Sequence, residues 1–207
     1  MRIICFGDSW TAGHGVEIDE SYKEIPNPPL FIERLREQNS WPRWTAEKLG
    51  CVYVNNGVCG DGNKYIYNNV MVSLQNGFIH VNDIIIIMFS WPYRYMRHDS
   101  ETVIDIYNML EKELIGIKHF YFNSFYPSFK DYEFDTTQLP EYFINPNGCV
   151  ADILRDYEIK NDVSVWEYGS RSIWNDEKNF YEGDYHPNLE GYKIIGNYIY
   201  ENIVDKL

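Results

Sequence analysis

The chain has 207 residues, of which 44% are hydrophobic and 24% are charged, values typical of a globular protein with a substantial core. It contains 18 lysines and arginines and 31 aspartates and glutamates, so the formal net charge is −13. This acidity argues against nucleic acid or an anionic membrane as a partner, because both require a basic surface. We expect one domain that spans residues 1–207.

Apolar runs of strand length alternate with helical patterns along the chain, which is typical of a parallel sheet covered by helices. The predicted strands are residues 3–6, 52–55, 84–89, 119–123 and 163–168. The run at 84–89 is apolar throughout and rich in β-branched residues, which indicates a strand buried on both faces. The predicted fold class is therefore α/β, a three-layer α/β/α sandwich with a central five-stranded parallel sheet.

Helical patterns occupy the segments between the predicted strands. The predicted helices are residues 41–50, 63–74, 100–115, 149–157 and 188–204. The first has Ser40 as its cap, Pro42 in its first turn and Gly50 as its stop signal. Long loops are predicted at residues 12–29 and 124–147, and loops of this length in a compact domain are often functional.

Cysteines and apolar stretches bear on the cellular setting. The four cysteines are Cys5, Cys51, Cys59 and Cys149. They show neither a CxxC pair nor zinc-ligand spacing, so we predict free thiols in a reducing compartment. The sequence has no hydrophobic stretch of membrane length and no signal-peptide pattern, so the expected location is cytoplasmic, with export by another route left open. We expect no cofactor and no metal, because neither a ligand cluster nor a Walker-type loop occurs.

Residues that can carry out nucleophilic chemistry lie near both ends of the chain. Ser9 lies in a Gly-Asp-Ser sequence directly after the first strand, and His186 lies in an Asp-Tyr-His-Pro sequence before the last helix. Gly7 permits a tight strand-to-helix turn, which would place the Ser9 backbone N–H at a helix N-terminus. Ligands bind beyond the carboxyl ends of parallel strands, so we expect Ser9, Gly60 and Ser90 to face one crevice.

Three short blocks carry the most specific pattern in the sequence. They are Gly7-Asp8-Ser9, the VNNGVCGD sequence at residues 54–61, and Asp184-Tyr185-His186-Pro187-Asn188, with Ser40-Trp41-Pro42 ahead of the second block. In this order and spacing they resemble the SGNH (GDSL-like) hydrolase family, and the resemblance runs from residue 2 to about residue 200. It implies a flavodoxin-like fold and cleavage of an ester. The family comprises esterases, lipases, thioesterases and carbohydrate deacetylases.

The resemblance implies a role for each residue of the site. Ser9 would be the nucleophile, and His186 would accept its proton and later return a proton to the departing alcohol. Asp184 would orient the imidazole; Glu182 is an alternative acid, and a Ser-His dyad without an acid is a further alternative. The oxyanion would be held by the backbone N–H groups of Ser9 and Gly60.

The third block departs from the family pattern, which has an asparagine after the third strand as an oxyanion donor. Here that strand runs into a Ser-Trp-Pro-Tyr-Arg sequence at residues 90–94. Ser90 or a neighbouring backbone N–H is the predicted substitute donor. Asn63 is another conceivable donor, or else it caps the helix that follows it.

Several further residues are candidates for contact with a substrate. The predicted substrate-binding residues are Asp8, Trp10, Trp91 and Arg94. Arg94 would bind an acidic group, although a paired surface charge is the alternative. His14 lies between two glycines and is predicted to be a loop residue at the rim of the crevice.

The sequence thus predicts a serine ester hydrolase that acts on a small or carbohydrate-borne acyl ester through an acyl-enzyme. The expected partner is a small-molecule or glycan ester, and the oligomeric state stays open. Because the third-block asparagine is missing, one alternative is a non-catalytic domain that binds a glycan or a protein. A second alternative is acyl transfer to a sugar hydroxyl by the same residues.

Overall fold

The computed structural model describes residues 1–14, 28–60, 62–90, 103–124, 139, 142–146, 148–163, 165 and 186–207. The strands in this part of the chain are β1 (Arg2–Gly7), β2 (Val52–Gly57), β3 (Asp83–Phe89) and β4 (Lys118–Asn123). They form one parallel sheet in the order β2-β1-β3-β4. This order is the one found in flavodoxin-like doubly wound sheets.

Helices connect and cover these strands. They are α1 (Ser9–Ala12), α2 (Pro28–Asn39), α3 (Trp41–Leu49), α4 (Asn63–Gln75), α5 (Val103–Glu113), α6 (Val150–Asn161) and α7 (Leu189–Ile203), followed by a 3-10 turn (Val204–Lys206). Within the residues given above, none of these helices combines the length and the apolar character that crossing a membrane requires.

The sheet carries an apolar core on each of its faces, because alternate residues of a strand point in opposite directions. Ile3 and Ile86 face a core that includes buried residues of α3, α6 and α7. Ile4 and Ile85 face the opposite core, which is completed by α4 and α5. β3 is buried along its whole length. The predicted three-layer α/β/α arrangement with a parallel sheet is therefore confirmed.

Two details differ from the sequence-based expectations. Of the predicted fifth strand at residues 163–168, the structure describes Val163 and Val165, and both lie outside the described strands. Helix α2 is not predicted by the sequence, because half of its residues PPLFIERLREQN are polar or charged and it opens with two prolines. Prolines suit the first turn of a helix, yet in the sequence they also read as the end of a loop.

A carboxylate network fixes a short segment beside β4. Glu111 on α5 accepts hydrogen bonds from His119 Nε2 at 3.0 Å, from the Tyr121 hydroxyl at 2.8 Å and from the Tyr142 hydroxyl. Phe143 forms a parallel bridge with Tyr121. Burial and the neighbouring Glu111 carboxylate raise the pKa of Tyr121. These bonds therefore hold residues 142–144 against β4.

Candidate active site

Ser9 is the first residue of the short helix α1, which begins directly beyond the carboxyl end of β1. The Asp8 side chain caps this helix by accepting a 3.0 Å hydrogen bond from the Trp10 N–H. A Cβ atom on Gly7 would lie 2.0 Å from Thr11 Oγ1, and one on Gly57 would lie 2.3 Å from the backbone nitrogen of Ala12. Glycine at both strand ends therefore lets α1 pack directly onto the sheet, and this contact fixes the position of Ser9.

The structure brings Ser9 and His186 together. His186 Nε2 lies 2.9 Å from Ser9 Oγ, although the two residues are 177 positions apart. Both side chains are buried, with Ser9 4% exposed and His186 3% exposed. His186 is held by the start of α7, where the Asn188 side chain accepts a 3.0 Å hydrogen bond from the Gly191 N–H. If Ser9 donates to Nε2, that nitrogen carries a lone pair and the ring proton resides on Nδ1.

A second imidazole, that of His14, contacts the His186 ring. His14 Nδ1 lies 3.3 Å from His186 Nδ1 and 3.2 Å from His186 Nε2, and the two ring planes are 81° apart. The sequence predicts His14 at the rim of the crevice and gives it no role. No local pattern signals this contact, because it requires the turn after α1 and the start of α7 to meet.

Ser90 joins the carboxyl ends of β1 and β3 through a buried network. Its hydroxyl donates to Asp8 Oδ2 at 2.7 Å, and its backbone N–H donates to Asn63 Oδ1 at 2.8 Å. Asn63 Nδ2 donates in turn to the Ser90 carbonyl at 3.1 Å. Asn63 is the first residue of α4, and the residue at the cap position is Gly62. The alternative prediction that Asn63 caps this helix is therefore wrong. Both donors of Ser90 are thus engaged with neighbouring side chains.

The predicted substrate contacts Asp8 and Trp10 precede and follow Ser9 in the chain, and both are buried. Asp8 is 0% exposed and directs its carboxylate to Trp10 and Ser90. Trp10 is 3% exposed and belongs to the core on the α3 and α7 side of the sheet. Both residues support α1, and their predicted contact with a substrate stays a prediction.

Gly60 lies in the turn that follows β2. Val58 N–H donates to the Gly7 carbonyl at 3.0 Å, so β2 leaves the sheet beside the end of β1. Gly60 has a φ of 87°, a left-handed conformation that favours glycine. Arg36 Nη1 lies 3.9 Å from Cys59 Sγ, which places a cation beside the same turn.

Asn55 of the second sequence block links that block to the Ser-Trp-Pro sequence. Its Nδ2 donates to the Thr11 carbonyl at 2.8 Å and to Ser40 Oγ at 3.0 Å. Its Oδ1 accepts from the Gly57 N–H at 2.9 Å. One half-buried amide therefore ties together α1, the start of α3 and the end of β2.

Some predicted site residues lie outside the described part of the chain. They are Asp184, Glu182, Trp91 and Arg94. Their roles stay predictions. All four cysteines are free thiols, as predicted, and burial raises the pKa of Cys5. Within the described ranges, no group of three or more His, Cys, Asp or Glu side chains is arranged to hold a metal ion.

Several solved structures align with nearly the whole chain. A proposed lipolytic protein of the G-D-S-L family from Desulfitobacterium hafniense DCB-2 aligns with a TM-score of 0.53 at 16% identity, over 97% of this chain and 98% of that one. A G-D-S-L family lipolytic protein from Veillonella parvula DSM 2008 aligns with a TM-score of 0.45 at 18% identity, over 99% of this chain and 97% of that one. A carbohydrate esterase family 2 enzyme with a carbohydrate-binding domain, from Corynascus thermopiles (Myceliophthora fergusii), aligns with a TM-score of 0.49 at 16% identity, over 99% of this chain and 65% of that one.

The sequence itself gives no such match. No protein-family model and no curated protein matches the chain. At 16% identity, the likeness to the Desulfitobacterium hafniense protein concerns the fold. The chain therefore has the α/β fold of a G-D-S-L family protein, as the resemblance in its sequence predicts.

Proposed function

We propose that this protein hydrolyses a small or carbohydrate-borne acyl ester, with Ser9 as the nucleophile and His186 as the general base. The observation that carries the proposal is the 2.9 Å contact between Ser9 Oγ and His186 Nε2. A serine within hydrogen-bond reach of an imidazole, at the carboxyl end of a parallel sheet, has the arrangement of an activated nucleophile. The G-D-S-L protein of similar fold is described as lipolytic, and ester cleavage is the chemistry that this description shares with the proposal.

The reaction follows from the positions of the two side chains. Ser9 Oγ attacks the ester carbonyl carbon while His186 Nε2 accepts the hydroxyl proton, giving a tetrahedral intermediate and an imidazolium. The imidazolium then donates its proton to the leaving alcohol as the C–O bond breaks, which leaves an acyl-enzyme on Ser9. Water, deprotonated by the same imidazole, releases the acid and restores the serine.

The negative charge of the intermediate needs donors close to Ser9. Because α1 begins at Ser9, its N–H is one of the first-turn amides that no carbonyl of the helix satisfies. We assign this amide and that of Gly60 to the oxyanion. Each such donor is worth roughly 3–4 kcal/mol in the transition state. The backbone N–H of Ser90 donates to Asn63 and its hydroxyl donates to Asp8, so neither is directed at the oxyanion. We therefore assign Ser90 a supporting role, through its bond to Asp8.

Turnover of p-nitrophenyl acetate tests the proposal. We expect the wild-type protein to release p-nitrophenol with saturation kinetics and Ser9→Ala to lose at least about 10³-fold in kcat. Ser73→Ala, at a half-buried position of α4, is the matched control and should retain wild-type rates. Equal turnover by Ser9→Ala and the wild type would contradict the proposed mechanism.

A further inference from the structure

We propose that His14 is a positioning residue for His186: it holds the His186 ring at Ser9 through a face contact, and it acts only when uncharged. This inference rests on the proposed function of Ser9 and His186. It assigns a role to a residue that belongs to none of the three sequence blocks.

The contact geometry is the first step of the argument. His14 Nδ1 is almost equally far, 3.3 and 3.2 Å, from the two ring nitrogens of His186. In the plane of that ring, such a point would overlap the carbon between the nitrogens, so Nδ1 must lie over the ring face. The 81° interplanar angle and the 4.3 Å centroid separation agree with this edge-to-face arrangement. A contact on the face limits tilting of the ring and leaves Nε2 directed at Ser9.

The second step is that His14 is fixed by the same elements that place the reacting pair. Its backbone N–H donates to the Ser9 carbonyl at 3.0 Å. Its carbonyl accepts a 2.6 Å hydrogen bond from the hydroxyl of Tyr192, which is 0% exposed on α7. His186 lies just before α7 in the chain. His14 is therefore bonded both to the helix that carries Ser9 and to the helix that follows His186.

The third step concerns charge. His186 becomes an imidazolium when it takes the Ser9 proton, and a doubly protonated His14 would then place a second positively charged ring in contact with it, with 3.2 Å between His14 Nδ1 and His186 Nε2. Two like charges at this separation strongly disfavour each other, so the reaction requires an uncharged His14.

Other titratable or charged groups lie on the elements packed around the pair. The Asp8 carboxylate is directed to Trp10 and Ser90, and the Arg36 guanidinium reaches Cys59. The Tyr192 hydroxyl donates to the His14 carbonyl. The Nδ1 atom of His14 contacts both ring nitrogens of His186.

Three variants separate this role from general stability. With p-nitrophenyl acetate, we expect His14→Ala to lower kcat by about 10- to 100-fold with KM changed by less than about threefold. His14→Phe retains a flat ring and should recover part of that loss. Tyr192→Phe should give a smaller loss, and it should add nothing to His14→Ala in the double variant, because it acts through His14.

The pH profile provides a readout that a purely structural role would not move. For the wild type, log(kcat/KM) should fall in two steps as the pH falls, with a slope of 1 where one imidazole of the pair is protonated and a slope of 2 where both are, because the two titrations are coupled. For His14→Phe the slope should stay at 1. His80→Ala, a change at an exposed histidine, is the control and should keep the wild-type profile. Circular dichroism at each pH confines the comparison to folded protein.

Two results would overturn the inference: an unchanged kcat in His14→Ala, or equal limiting slopes in the wild type and His14→Phe. If wild-type turnover depends on Ser9 while His14→Ala matches the wild type, this inference fails and the proposed function stands. If no turnover depends on Ser9, both fail together.

Discussion

Substitution of Ser90 tests whether its hydroxyl supports the structure of the site or takes part directly in catalysis. It donates to Asp8 Oδ2 at 2.7 Å, and both residues are 0% exposed. Asp8 in turn caps α1 through the Trp10 N–H. Ser90→Ala removes one oxygen and leaves a buried carboxylate with one donor fewer, while the backbone of residue 90 can still bind Asn63.

The expected cost follows from this geometry. A hydrogen bond to a charged group contributes about 1.5–3 kcal/mol, so Ser90→Ala should lower the free energy of unfolding by about 2 kcal/mol. For a chain of this length, that loss lowers the thermal midpoint by about 6 °C. We expect kcat to fall less than about 10-fold, because the contact between Ser9 and His186 is untouched. Loss of an oxyanion donor would instead lower kcat by about 10²–10³-fold and leave stability unchanged.

Urea unfolding followed by circular dichroism, together with turnover of p-nitrophenyl acetate, distinguishes these outcomes. Ser73→Ala serves as the control and should stay within about 0.5 kcal/mol of the wild type. If Ser90→Ala slows turnover by about two orders of magnitude or more at unchanged stability, the supporting role of Ser90 is refuted and its hydroxyl is identified as an oxyanion donor.

Three further changes test the packing around the site and the sheet. Asn63→Ala strands the buried N–H and carbonyl of Ser90 and should cost about 2–4 kcal/mol in urea unfolding; a loss below about 0.5 kcal/mol would contradict the network. Gly57→Ala places a methyl group 2.3 Å from the backbone of α1, so thermal stability and kcat should both fall, and a wild-type kcat would show that α1 does not need this close approach. Burial raises the pKa of Glu111, but hydrogen bonds from a histidine and two tyrosines outweigh it and lower the pKa below the ordinary 4.5. Its stabilisation is therefore complete above that value and is lost as the pH falls through the folded-state pKa. In Glu111→Gln, the urea midpoint should therefore depend less on pH below about 4.5 than it does in the wild type. Glu113→Gln, an exposed change on the same helix, should keep the wild-type slope, and equal slopes in both variants would contradict the role of Glu111.

The sequence predicts the location of the site because that location depends on chain order and polarity. An apolar run that ends in Gly-Asp-Ser can be read directly, and parallel strands bring their carboxyl ends to one edge. The meeting of Ser9 with His186 then follows from the order of the blocks. The tight turn at Gly7 is also predicted from the sequence, whereas the equally close approach of α1 to Gly57 is seen only in the structure.

Other contacts could not be read, because they depend on three-dimensional neighbours that no local pattern encodes. Asn63 opens α4, where a cap is the local interpretation, yet its side chain binds the end of β3. His14 lies between glycines, a pattern typical of a loop. In the structure, its carbonyl accepts a hydrogen bond from the Tyr192 hydroxyl on α7, and its ring contacts His186. Helix α2 is too polar to show an apolar stripe. In each case, tertiary contacts decide what the sequence leaves open.

Labelling with a fluorophosphonate tests the activation of Ser9 most directly, because a serine without a general base reacts negligibly with such a probe. We predict stoichiometric addition to the folded wild-type protein, located by peptide mapping on Ser9, absent in Ser9→Ala and strongly slowed in His186→Ala. Absence of label on Ser9 in the folded wild-type protein would contradict a nucleophilic serine and would favour a non-catalytic binding domain.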